Sequence, residues 1–144
     1  MKIDNRIRNQ LCKKMKLFLT IILFTLCHGL TAQNTTTIVY EKTYDINGEG
    51  VLKRQLSLHS DGTFYYHTYR RINDRSPEIN LYGKGTWTSK KDLLIFSADE
   101  TTDLDEKHSL NFNGSKARIF KDSSIRFLNS KIPWVKGMPL EKKT

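Results

Sequence analysis

Short runs of β-branched and aromatic residues recur about every 10 to 15 residues after residue 33, and each run is bounded by glycine, asparagine, aspartate or serine. Residues of this kind favour strands, and short strands separated by turn signals are typical of sandwiches and barrels. No segment beyond residue 33 shows a sustained helical period. The sequence therefore predicts an all-β chain, a single antiparallel meander of about eight strands. The predicted strands cover residues 36–44, 51–59, 63–72, 80–88, 92–98, 108–113, 115–121 and 124–129.

The first 32 residues have the layout of a secretory signal peptide, in which the residues before Met15 are an amino-terminal extension or Met15 is the true start. In MKLFLTIILFTLCHGLTAQN, residues 15–34, a cationic start precedes an apolar run over residues 17–26, a glycine and small residues near Ala32. The apolar run is shorter than the roughly 20 residues that cross a bilayer, so no transmembrane anchor is predicted in the mature chain. We expect cleavage after Ala32 and an extracytoplasmic mature protein, periplasmic or secreted.

Both cysteines and much of the positive charge belong to this leader. Cys12 and Cys27 are the only cysteines, so a chain cut after Ala32 has no disulfide, thiolate zinc site or cysteine nucleophile. A lipid anchor on Cys27 is the alternative, although Leu26 stands where acylated sites carry a small residue. The net charge falls from +9 to 18 basic minus 14 acidic residues, or +4, without the leader. The charge balance therefore does not indicate a nucleic-acid partner.

The stretch HSDGTFYYHTYRR predicts a hairpin with two different faces. A three-residue loop with Gly62 in the left-handed conformation sets Leu58 opposite Phe64. Because side chains alternate along a strand, Phe64 and Tyr66 then point into the core. The opposite, outward face carries Tyr65, His67 and Tyr69.

The segment YGKGTWTSKKDLLIF predicts a second hairpin, with a turn over residues 90–91 that pairs Trp87 with Leu94. Gly83 and Gly85 lie on the Trp87 face. Glycines at such positions leave room for a large neighbouring ring or for sharp curvature of the sheet.

A third predicted hairpin spans HSLNFNGSKARIF, with Asn113 and Gly114 at the centre of a type I′ turn. Its inward set is Leu110, Phe112, Ala117 and Ile119. The remaining residues, KIPWVKGMPLEKKT, are rich in proline and lysine. We expect a barrel-like domain over residues 33–131 and a C-terminal tail over residues 132–144, which is disordered or plugs one end of the barrel with Trp134.

Residues 50–98 contain a spacing of leucines, turn residues and aromatics: Leu56-x-Leu58, Asp61-Gly62-Thr63-Phe64, Gly85-Thr86-Trp87 and Asp92-x-Leu94. This spacing resembles that of the small secreted lipocalin-like domains of Gram-negative bacteria. The resemblance implies a meander closed or half-closed into a barrel, which holds a small apolar molecule or supports a process of the cell envelope. In typical lipocalins the Gly-x-Trp stands on the first strand and closes one end of the barrel, whereas Trp87 falls on about the fourth predicted strand.

The sequence supports two hypotheses for the function of a monomeric, non-enzymatic domain. In the first, a small apolar ligand binds among the inward side chains of Phe64, Tyr66, Trp87, Leu94 and Phe96. In the second, the domain has no pocket and meets a protein or glycan of the cell envelope through a sheet face. That face carries Tyr65, His67 and Tyr69, because tyrosine buries area at interfaces while keeping a polar tip.

No pattern in the sequence indicates a catalytic site, a cofactor or a metal. HSD at residues 59–61 has the letters of a catalytic triad, but consecutive residues at a turn do not come into mutual hydrogen-bond reach. Asp61 is instead expected to bind local backbone amides. The predicted register separates His59 from His67, so they do not share an ion. Residues 98–108 hold five acidic side chains and are predicted to form a solvated loop, with a calcium site as the alternative.

Overall fold

The computed structural model describes residues 35–144, which form eight strands. The strands are β1 (Thr37–Ile46), β2 (Gly50–His59), β3 (Thr63–Arg71), β4 (Ile79–Lys90), β5 (Leu93–Ser97), β6 (Lys116–Ile119), β7 (Ile125–Asn129) and β8 (Pro139–Lys142). The predicted signal peptide and the alternative lipid anchor on Cys27 lie outside the described residues. Within residues 35–144, no helix has the length and apolar character needed to cross a membrane.

The sheet closes into a barrel, because each strand pairs with the next and β8 also pairs with β1. All neighbouring pairs are antiparallel. The predicted all-β meander of eight strands is therefore confirmed, and its closed form is the one adopted. The closure is thin, since β8 forms two residue pairs with β7 and two with β1, whereas β1 and β2 pair over ten.

The β2–β3 hairpin has the predicted loop and register. Leu58 pairs with Phe64 and Leu56 with Tyr66. Gly62 has a φ of +85°, the left-handed conformation that glycine adopts without a steric penalty. The alternation therefore directs Leu56, Leu58, Phe64 and Tyr66 into the barrel, where all four are buried.

The β4–β5 hairpin differs from its predicted register by two residues. Trp87 pairs with Phe96 rather than with Leu94, because the turn lies over Lys91 and Asp92. Lys91 takes a positive φ of 57° in this turn. A shift of two residues leaves every side chain on its predicted face, so Leu94 and Phe96 still point inward.

The predicted strand over residues 108–113 is wrong, since this stretch belongs to the long connection between β5 and β6. Both edges of β6 are already occupied by β5 and β7, which leaves no edge for it. It lies against β4 instead, where the Leu110 amide donates to the Tyr82 carbonyl at 3.0 Å. The predicted type I′ turn is also wrong, because Gly114 has a positive φ but Asn113 does not.

The two glycines of β4 make room for aromatic rings, as predicted. A Cβ at Gly83 would lie 2.8 Å from two ring carbons of Phe112. A Cβ at Gly85 would lie 2.9 Å from the Phe64 ring and 2.2 Å from the Ser97 carbonyl oxygen. The connection between β5 and β6 can therefore insert Phe112 into the barrel although it forms no strand.

The predicted C-terminal tail is wrong, because residues 139–142 form the last strand and residues 35–144 make one compact unit. Pro139 is the first residue of β8, a position at which a strand tolerates the missing N–H. Apolar residues spaced along this segment are buried in the domain and outweigh its proline and lysine content: Ile132, Val135, Met138 and Leu140.

The centre of the barrel is filled by aromatic side chains. Phe64, Tyr66, Phe96, Phe112 and Phe127 are each at most 2% exposed. The Phe96 ring stacks on Phe127 with centroids 5.4 Å apart, and the edge of Phe64 meets Phe96 at 5.1 Å. Such offset and edge-to-face arrangements are those that aromatic pairs prefer.

Candidate ligand-binding site

Four of the five residues predicted to line an apolar site lie in this filled centre. Phe64, Tyr66, Leu94 and Phe96 belong to one buried core cluster, and none of them lines the cavity at the barrel mouth. The interior of an eight-stranded barrel is only just wide enough for side chains to fill it. The prediction that these four line a ligand site is therefore corrected: they form the core.

The fifth residue, Trp87, closes the end of the barrel that carries the β2–β3 turn. Its indole N–H donates to the His59 carbonyl at 3.1 Å, and its backbone N–H donates to the Gly62 carbonyl at 2.7 Å. In the same turn Asp61 accepts the backbone N–H of Thr63 at 2.9 Å, which confirms its expected local role. Trp87 thus closes one barrel end from the fourth strand.

A cavity of about 400 Å³ opens at the other end of the barrel, which we call the mouth. Strands β2, β3 and β4 form its wall, and one side chain from the connection between β7 and β8 completes it. The lining residues are Leu52, Arg54, Thr68, Arg70, Ile79, Leu81 and Trp134. Other depressions lie beside the acidic connection and the β3–β4 loop, but mostly polar or charged residues line them.

The mouth residues reach the cavity by the same alternation that fills the core. On β2, Arg54 and Leu52 continue the inward series beyond Leu56, and on β3 the same series continues through Thr68 to Arg70. The seven lining residues were not predicted as a site, because only four of them are apolar, whereas the others are charged or polar and inward positions are usually apolar. The β2–β3 register, which was predicted correctly, already places the mouth residues of these two strands on the inward face.

Arg54 is held over two aromatic rings at the mouth. Its guanidinium carbon lies 5.5 Å from the centroid of the Tyr44 ring and 5.2 Å from that of Trp134, within the range of cation–π attraction. Its Nε is buried and has no hydrogen-bond acceptor within residues 35–144. The side chain is thus positioned by ring faces while its Nε–H is left unused.

Arg70 brings a second positive charge to the same wall. Leu52 pairs with Arg70 and Arg54 with Thr68, so the two arginines are diagonal neighbours, about 7–8 Å apart at the backbone. None of the ion pairs formed within residues 35–144 includes Arg54 or Arg70. The cavity therefore combines an apolar wall with two cations that lack an acidic partner in the described chain.

Neutral polar groups lie next to the arginines. Thr68 is buried, and the Tyr66 hydroxyl donates to the Met138 sulfur at 3.6 Å. Burial raises the pKa of Tyr66 well above its ordinary value, against the opposite effect of the nearby Arg54. Tyr66 is therefore a neutral phenol at physiological pH.

The predicted outer face exists and is larger than expected. Tyr65, His67 and Tyr69 project from β3 and are half-buried. Tyr82, opposite His67 on β4, stacks on its ring with centroids 4.6 Å apart and planes 8° apart. His108 meets Tyr65 edge-on at 5.8 Å. We call these five residues the tyrosine–histidine face. Strand alternation is sufficient to predict Tyr82 on this face, whereas His108 lies in the irregular connection between β5 and β6.

Polar atoms of the tyrosine–histidine face are partly engaged within the protein. The His67 Nε2 lies 2.8 Å from the Asn80 Oδ1. The Tyr69 hydroxyl donates to Glu78 at 2.8 Å, and this hydrogen bond raises the pKa of Tyr69. Desolvation raises the pKa of Tyr65. The face is therefore a pre-arranged aromatic surface whose polar atoms are partly paired within the protein.

In the part of the chain that the structure describes, no group of three or more His, Cys, Asp or Glu side chains is placed to hold a metal ion. In the acidic connection, Asp99 accepts the backbone N–H of Thr101 at 2.7 Å and Asp105 accepts that of His108 at 2.7 Å. The Thr101 hydroxyl also donates to Asp99 at 2.5 Å. This side-chain hydrogen bond, followed by the backbone one, lowers the pKa of Asp99, and the backbone hydrogen bond from His108 is the largest cause of the lowered pKa of Asp105. The carboxylates thus fix local turns of the connection.

Comparisons of the chain with protein-family models, with curated proteins and with solved structures find no match. The resemblance to lipocalin-like domains remains a prediction from the spacing in residues 50–98. The closed barrel is compatible with such a domain.

Proposed function

We propose that this chain is a small, non-enzymatic, extracytoplasmic lipocalin-like protein that binds a small ligand with an apolar body at the mouth of its barrel. The observation that carries the proposal is the mouth cavity, where Leu52, Leu81 and Trp134 form an apolar wall beside a few polar groups. Concave, mostly apolar sites with a small number of placed polar groups are typical of small-molecule binding.

The size of the cavity limits the ligand. Its volume of about 400 Å³ is near the lower end of the roughly 300–1,000 Å³ that ligand pockets occupy. The aromatic core fills the rest of the interior, so the ligand stays at the mouth rather than entering the whole barrel. A haem or a long isoprenoid exceeds this space.

Thermal unfolding with a panel of small amphiphiles tests the proposal. At least one short fatty acid or comparable compound should raise the midpoint, because a ligand that binds only the folded state stabilises it. The variant Leu81→Trp places a large ring in the cavity and should abolish the shift. The matched control is Leu128→Trp, since Leu128 is 40% exposed on β7, and it should keep the shift. No shift with any compound would contradict the proposal.

Localisation is tested on the protein made by its own cells. A signal peptide over residues 1–32 leads to a mature chain that begins at Gln33 and is recovered from the periplasm or medium. The intact mass of the purified protein reads this terminus directly. A full-length chain found only in the cytoplasm would contradict the extracytoplasmic part of the proposal.

The tyrosine–histidine face favours a second candidate, a contact surface for a protein or glycan of the cell envelope. The supporting observation is the joined ring cluster of Tyr65, His67, Tyr82 and His108. Replacing Tyr65 and Tyr69 with serine should abolish capture of that partner from envelope extracts while thermal stability stays high. Capture that is unchanged in this variant would contradict the candidate.

A further inference from the structure

We infer that the mouth cavity recognises an anionic amphiphile, with a carboxylate or phosphate head group bound by Arg54 and Arg70. The apolar body of the ligand then lies against Leu81 and Trp134. This inference rests on the proposed function and adds the chemical class of the ligand. It is carried by the charge and geometry of the two arginines.

The two arginines differ from the cations around them. On the outer side of the same wall, Lys53 pairs with Glu41 and Arg71 with Asp74. Arg54 and Arg70 form no ion pair within residues 35–144, although the register makes them diagonal neighbours. Two adjacent like charges without a partner attract an anion and disfavour a cationic ligand.

The guanidinium of Arg54 suits an anion with two acceptor oxygens on one side. Its position over the Tyr44 and Trp134 rings orients the group in advance, and its Nε–H has no acceptor in the described chain. The guanidinium fork binds a carboxylate or a phosphate through two parallel hydrogen bonds. An anion at the mouth would meet the terminal N–H groups of this fork, because the Nε atom itself is buried.

The rest of the lining explains why the anion carries an apolar body. Leu52, Ile79, Leu81 and Trp134 contribute hydrocarbon or ring surface beside the two charges. Ile79 and Trp134 are 41% and 37% exposed in spite of their size. A free inorganic anion leaves this surface in water, whereas an amphiphile covers it.

Isothermal titration of the mature protein with four matched probes tests the inference: decanoate, decyl phosphate, decanol and decyltrimethylammonium. At least one anion should bind about tenfold or more tightly than decanol, because hydrogen bonds to charged groups are worth more than neutral ones. The cationic probe should bind most weakly. Whichever of decanoate and decyl phosphate binds more tightly identifies the head group.

Variants locate the anion site. Arg54→Gln and Arg70→Gln should each reduce the preference for the anion over decanol and leave the affinity for decanol nearly unchanged. The control Lys53→Gln removes the same charge from the outer face of β2 and should keep the preference. If circular dichroism shows that Arg54→Gln is unfolded, Arg70→Gln carries the test, since the Arg70 side chain is exposed at the mouth.

The outcomes separate this inference from the proposed function. Decanol that binds as tightly as both anions would overturn the inference and leave the ligand-binding proposal standing. A preference for the anions that survives both arginine substitutions would also overturn it. Absence of binding by all four probes would overturn the inference and count against the proposed function.

Discussion

At the scale of single residues, glycine positions decide how much aromatic surface the barrel holds. Gly83 and Gly85 lie on the inner face of β4 and have no side chains, and the Phe112 and Phe64 rings occupy the space that side chains would fill. The sequence predicted this role because both glycines share the Trp87 face of one strand. It did not predict that the ring beside Gly83 comes from an irregular connection.

The variant Gly83→Ala should lower the free energy of unfolding by about 1–3 kcal/mol, the usual cost of overpacking a core. The added methyl group would lie 2.8 Å from the Phe112 ring and 3.0 Å from the Leu110 carbonyl oxygen. Urea denaturation measures the change. If the ring is the cause, the same substitution should cost less in a Phe112→Leu background. An equal cost in both backgrounds would contradict this explanation.

The mouth arginines show where residue-level prediction failed. Leu56, Leu58, Phe64 and Tyr66 were correctly placed inside, because they are apolar and alternate. The same alternation places Arg54 and Arg70 inside, but a charged residue on a strand is usually outward. The ligand site was therefore predicted at residues that fill the core, and the residues that line the mouth were not predicted.

At the scale of strands and hairpins, local turn chemistry fixed one register and left others open. The three-residue loop ending at Gly62 specifies the β2–β3 pairing, which was predicted correctly. The turn between β4 and β5 contains no glycine, and Lys91 takes the positive φ, so the register was predicted two residues away. A shift of two residues keeps each side chain on the same face of the sheet. The prediction of the inward residues therefore remained correct.

Strand β8 was not predicted, because its segment contains proline and lysine and its partners are distant in sequence. Only tertiary pairing with β1 and β7 shows that it belongs to the wall. Leu140→Ala should lower the free energy of unfolding by about 2–5 kcal/mol, because Leu140 is fully buried. Leu128→Ala is the matched control on exposed surface of β7 and should cost little. Equal, small effects of both substitutions in chemical denaturation would contradict a structural role for β8.

At the scale of the whole molecule, acid should destabilise the fold. Local hydrogen bonds lower the pKa of four aspartates below its unfolded value: Asp61, Asp99, Asp105 and Asp122. A carboxyl group with a lowered pKa contributes stability above the unfolded pKa, about 3.9, and loses it as the pH falls through the folded value. The urea midpoint should therefore fall steeply below about pH 4. Asp105→Asn should make this fall shallower, and an unchanged pH profile would contradict the assignment to Asp105.

The molecule combines a filled barrel centre, one end closed by Trp87 and an amphipathic cavity at the mouth. The fold class and seven of the eight strands, β1 to β7, followed from periodicity and turns, because those signals are local. The cavity at the mouth was not predicted, because it depends on how far the aromatic core extends along the barrel. No local sequence pattern indicates that extent.

Native mass spectrometry of the mature protein, purified from the cells that make it, tests whether the mouth cavity holds a ligand. The spectrum should show a chain that begins at Gln33 and carries one additional small mass. That mass should be absent from Leu81→Trp and retained in Leu128→Trp. A bare polypeptide in the wild type, or a bound mass that Leu81→Trp keeps, would contradict the claim that the mouth cavity is a ligand site.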